Sequence, residues 1–135
     1  MKFIVLILIV FTFNWARAMT FEVIGKNGQV ILKQELSVEL KQNVGQISVQ
    51  ILNKNKISFE GGEFGLSSLV GLGQDIDVIS DTEMKAYGWC FSIDGVISET
   101  MPDQTWLKKQ NENLLWFYGY AHYKNGDWIG QCLKD

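Results

Sequence analysis

The sequence predicts a mainly β domain of the α+β class, with at most one or two short helices and an aromatic hairpin near the C-terminus. Three observations predict it. Ten of the thirteen aromatic residues beyond residue 18 fall between Tyr87 and Cys132, many of them two positions apart, the spacing that places side chains on one face of a strand. Asp94-Gly95 and Lys124-Asn125-Gly126-Asp127 interrupt that run with the residues that tight antiparallel hairpins need. Cys90 and Cys132, one near each end of the stretch, read as a staple between its strands.

Residues 1–18 read as a secretory signal peptide. Met1-Lys2 precedes an apolar run from Phe3 to Phe13, and Ala16-Arg17-Ala18 is a small-x-small pattern of the kind cleaved on export. The apolar run is shorter than the roughly twenty residues of a spanning helix, so no membrane insertion is expected after cleavage. The remaining residues, 19–135, suit one domain with a modest core, placed outside the cell or in a periplasm. In such an oxidising compartment the two cysteines of an otherwise cysteine-free domain pair. Removing Lys2 and Arg17 with the signal takes the formal net charge from −3 to −5. With no basic block along the chain, nucleic acid and anionic membrane surfaces are not expected partners.

Thr20 to Ile24, a turn at Gly25-Lys26-Asn27-Gly28, and Gln29 to Glu35 predict a β-hairpin. Leu36 to Val44 fits either a short helix or a continuing strand, ended by Gly45. Gln46 to Leu52 alternates and predicts a strand, followed after a polar turn by Ile57-Ser58-Phe59. Glu60 to Glu63 reads as a break, and Leu66 to Val70 as a short apolar run bounded by glycines. Asp75 to Met84 is acidic and predicts a solvated loop holding at most one short strand, Ile76 to Ile79. Its carboxylates lack the bend glycine and the spacing of a helical calcium loop. Tyr87, Trp89, Phe91 and Ile93 then share one face of a strand, with Gly88, Cys90 and Ser92 on the other, and Asp94-Gly95 turns into Val96-Ile97-Ser98. After a loop at Pro102-Asp103, the strand Leu114 to Tyr123 pairs with Trp128 to Cys132, on a strand that could lie beside the one carrying Cys90.

Gly65-Leu66-Ser67-Ser68-Leu69-Val70-Gly71-Leu72-Gly73, Gly88-Trp89-Cys90-Phe91-Ser92-Ile93-Asp94-Gly95 and Trp116-Phe117-Tyr118 resemble the transcobalamin C-terminal-like domain family, the β-domain of vitamin B12 carriers. The likeness covers Phe64 to Tyr118, with Asp94 standing where that family has asparagine. It implies a small β-grasp or ubiquitin-like domain, and it implies a corrinoid as a possible ligand. The large helical barrel of the carriers has no counterpart in a chain of this length.

No catalytic signature is present. His122 is the single histidine and reads as a packing residue, both cysteines are accounted for as a pair, and Asp94 and Asp127 sit at turns that explain them. No cofactor or metal site is expected, since two cysteines and a histidine without ligand spacing make a thin set. The aromatic excess instead predicts a non-enzymatic binding domain. Tyr87, Trp89, Trp106, Trp116, Tyr118 and Tyr120 are the candidate ligand contacts, with Trp128 a further exposed aromatic, because Trp and Tyr build flat surfaces able to stack on a small planar ligand. The alternative is a periplasmic or cell-surface protein-interaction module, monomeric by itself, that meets an envelope protein through the same aromatics or a strand edge.

Overall fold

The computed structural model describes residues 18–135. The signal-peptide reading therefore lies, apart from Ala18, outside the described residues. The chain opens with the expected hairpin, β1 (Met19–Ile24) and β2 (Val30–Leu36), and continues with α1 (Val44–Lys54), β3 (Phe59–Gly62) and β4 (Gly65–Leu69). β5 (Asp75–Ser80), β6 (Glu83–Ile93), β7 (Val96–Ile97), β8 (Asn113–Lys124) and β9 (Asp127–Leu133) complete it.

Seven strands form one sheet in the order β2-β1-β8-β6-β5, with β7 on one end of β6 and β9 on one end of β8. β3 and β4 make a separate hairpin. β1 and β8 run parallel, and every other pairing is antiparallel. A terminal hairpin, a crossover helix and a central strand parallel to the first make this a β-grasp domain.

The helix covers one face of one half of the sheet. Val44, Ile47, Ile51 and Leu52 of α1 share a core with Met19, Phe21 and Val23 of β1 and with Phe91, Leu114 and Trp116. Trp116 is 2% exposed, and its indole Nε1–H donates to Ser48 Oγ at 2.8 Å, while that hydroxyl donates to the Val44 carbonyl at 2.7 Å. The polar edge of the buried ring is thereby satisfied. Gly45 admits the turn of the β3–β4 hairpin against the first turn of the helix, where a Cβ would stand 1.8 Å from the Glu63 carbonyl oxygen.

Four expectations are corrected. Gln46 to Leu52 is helix, not strand: Asn43 and Gln46 form a capping box, and Val44, Ile47, Ser48, Ile51 and Leu52 make a buried stripe at helical spacing. Leu36 ends β2, and the residues from there to the cap are neither helix nor strand. Asp75 to Met84 is not a loop, because β5 and the start of β6 pair across a turn at Asp81-Thr82, and β3 extends through the glycines read as a break.

The disulfide between Cys90 and Cys132 is formed, with Cα atoms 5.9 Å apart, but its two strands are not neighbours. β8 lies between them, pairing β6 on one side and β9 on the other. The bridge crosses β8 at Gly119, where a Cβ would stand 3.0 Å from the Leu133 carbonyl oxygen and 3.4 Å from the carbonyl carbon of Cys132. A bare backbone at that position lets the end of β9 fold over the sheet.

Candidate functional site

Side chains on the helix side of β6 and β8 form a continuous aromatic ladder, because paired residues of antiparallel strands project to the same side. Phe91 meets Trp116 at 5.0 Å between ring centroids, Trp89 meets Tyr118 at 5.4 Å, and Tyr87 contacts both Tyr118 and Tyr120 at 5.4 Å. The ladder leaves the core as it climbs. Phe91 and Trp116 are buried, whereas Trp89, Tyr118, Tyr87 and Tyr120 are half-buried.

A loop holds the middle rungs. The Trp89 Nε1–H donates to the Leu72 carbonyl and the Tyr118 hydroxyl to the Gly73 carbonyl, both at 2.8 Å. That loop follows a tight turn at Val70 (φ 47°) and Gly71 (φ 80°), bridged by Leu69 and Leu72, which puts a β-branched residue in the left-handed region. Farther out, Tyr87 donates to the Asp135 carboxylate at 3.3 Å, Lys85 stands 4.4 Å from the centre of the Tyr120 ring, and His122 pairs with Glu83 at 2.7 Å. Burial holds the Tyr118 hydroxyl above its ordinary pKa of 10.0, with Asp75 adding to the effect. Tyr87 is raised in the same way, first by burial and then by Asp135.

Beside the ladder the outer edge of the sheet has a gap. β5 pairs with β6 as far as Tyr87 and β7 pairs with it only from Ser92 on, so Gly88 to Phe91 have a paired strand only on the β8 side. A cavity of about 380 Å³ opens there. Its apolar walls are Phe64, Leu66, Met101 and Pro102 against Trp89, Phe91 and Trp116, and the disulfide closes one side. Ser67, Gln74, Ser98 and Thr100 supply its polar groups, and no charged residue lines it. A second hollow of about 440 Å³, at the other end of β6 beside Trp106, is lined instead by Asp94, Glu99, Lys108 and Glu112 among others. An apolar concave wall with a few neutral polar groups is the chemistry of a ligand site. The notch has it and the second hollow does not.

The fold has a solved counterpart. The chain is similar to the 1.30 Å crystal structure of a "putative metal binding protein" from Ruminococcus gnavus ATCC 29149, at 19% identity and a TM-score of 0.51. The match covers 78% of this chain and 98% of that one, and at this identity it speaks for the fold alone. Comparison with protein-family models finds no match, and comparison with curated proteins finds none either.

Five of the six predicted contacts, Tyr87, Trp89, Trp116, Tyr118 and Tyr120, stand on one ladder. Within the ladder, Trp116 belongs to the core and reaches the notch as part of its floor. Trp106 is 52% exposed and lines the second hollow, apart from the ladder. Trp128 packs edge-on against Tyr123, which lies on the opposite face of the sheet from the ladder. Phe64, Gln74 and Met101 of the notch were not among the predicted contacts. The glycine-bounded segment after Phe64 and the Met101-Pro102 bend were the only local signs of them.

Proposed function

We propose that this chain is an exported, non-enzymatic binding domain that takes a small, uncharged ligand at the notch beside Trp89, with the aromatic ladder as the flat wall on which a planar part of the ligand can stack. The observation that carries this reading is the uncharged, aromatic-lined cavity in the gap between β5 and β7. The sulfurs of both cysteines are held in the disulfide, and His122 is paired with Glu83, away from the notch lining. No nucleophile with a base therefore stands in the cavity. The disulfide favours an oxidising compartment, periplasmic or extracellular, and among the described residues no helix is long and apolar enough to cross a membrane.

The resemblance to the transcobalamin β-domain makes a corrinoid the first ligand to try. Among the described residues no three of His, Cys, Asp and Glu come together. Titration of the oxidised chain with cobinamide and with cobalamin, followed by tryptophan fluorescence, tests the proposal. Saturable quenching that is lost in Ser67→Phe, a change that fills the notch from an exposed position of β4, is the expected result. Quenching that Ser67→Phe leaves intact would remove the notch from the proposal. A second reading, an interaction module for an envelope protein, is favoured by the gap in the edge of β6.

A further inference from the structure

We infer that the notch receives one apolar side chain of a partner polypeptide that carries positive charge on both sides of that residue. The inference rests on the notch being a binding site and adds the chemistry of its occupant. Alternation along β6 turns the N–H and C=O of Trp89 away from β8 and toward the gap, as it does the Phe91 carbonyl, which accepts from the Ser98 N–H at 3.1 Å. Trp89 takes no backbone partner on that side among the described residues. An extended chain crossing the gap can therefore make main-chain bonds there while its side chain enters a cavity of about 380 Å³, room for a large aliphatic or aromatic group.

Charge selects the kind of chain. Glu60, Glu63, Asp75 and Glu99 are exposed, each is adjacent in sequence to a residue lining the notch, and no lysine is so placed. None of these carboxylates takes part in an ion pair among the described residues. An apolar hole whose lining residues are flanked in sequence by four exposed carboxylates complements an apolar anchor flanked by lysine or arginine, and it repels phosphate-bearing partners.

The test uses the full, disulfide-bonded chain and two acetylated, amidated peptides. Both have a Val-Phe-Val centre, one flanked on each side by two lysines and the other by two glutamates. The lysine peptide is expected to bind, to weaken about tenfold when Glu60→Lys and Glu99→Lys are combined, to be lost in Ser67→Phe, and to slow exchange of the Trp89 amide hydrogen. The glutamate peptide is expected not to bind. Equal binding of both peptides, or no peptide binding while cobinamide still binds and is blocked by Ser67→Phe, would overturn the inference and leave the small-ligand reading standing. Failure of cobinamide and both peptides alike would overturn both. Thermal midpoints of each variant near that of the parent chain keep misfolding apart from loss of binding.

Discussion

The two halves of the main sheet share β6 and β8 but live in different surroundings. Where α1 lies on it, Phe91, Leu114 and Trp116 are buried in a core with Phe21 and Ile47. Beyond the helix, β5 is exposed along its whole length, and Ile76, Val78 and Trp128 stand 61%, 70% and 51% exposed. Aromatic content does not separate the halves, since the ladder runs through both. What separates them is the cover supplied by an eleven-residue helix. The notch sits where cover ends, with the core ring of Trp116 as its floor and the half-buried ring of Trp89 as its wall.

The largest test of that contrast substitutes one tryptophan in each half. Trp116→Ala is expected to destabilise by about 3–5 kcal/mol, from lost burial and the cavity left behind, whereas Trp128→Ala should cost about 1 kcal/mol or less. Urea denaturation of both variants measures the difference, and equal losses would erase the distinction. Next in size is the disulfide, which ties the uncovered β9 to β6 across a sequence separation of 42 residues. Its reduction should lower stability by about 3–4 kcal/mol in the chain-entropy picture. An unchanged thermal midpoint in the presence of a dithiol would contradict that.

A smaller effect comes from the turn that sets the loop over the middle rungs. Val70 holds φ 47° while 40% exposed, whereas the equivalent turns at Asp94-Gly95 and Asn125-Gly126 use residues suited to that region. Val70→Asn is expected to raise stability by about 1 kcal/mol, visible as a higher urea midpoint at unchanged slope. The smallest effect is alkaline. Tyr87 and Tyr118 have folded-state pKa values above 10.0, so the neutral phenols are favoured in the fold. Their contribution is complete below 10.0 and is lost as pH rises through the raised values. Tyr118→Phe should flatten the alkaline decline seen in thermal midpoints measured across that range.

The strand-rich class, the first hairpin, the Asp94-Gly95 turn and the cysteine pair were legible because each is written locally, in period-two spacing, turn residues or composition. The helix was not. Ile47, Val49 and Ile51 alternate as a strand would, and the stripe that fits a helix includes Ser48, whose hydroxyl is buried only because the Trp116 ring from a distant strand needs an acceptor. Asn43 and Gln46 were the overlooked sign, a capping box ahead of the run. For the site, spacing put Tyr87, Trp89 and Phe91 on one face of their strand, but which rings lie under cover depends on where α1 crosses the sheet. Trp106 has no strand neighbour in sequence to fix its side, so its place apart from the ladder was not legible. The notch assembles β4, the approach to β5, the middle of β6 and the segment after β7, so no local pattern encodes it.

Residue-resolved amide hydrogen exchange of the oxidised chain, with and without cobinamide, tests the central claim most directly. Slowed exchange confined to Leu66, Ser67, Gln74, Trp89, Phe91 and Met101 is the result this account predicts. Protection confined to β5 and to Trp128, with the notch residues unchanged, would contradict it and move ligand binding to the uncovered face.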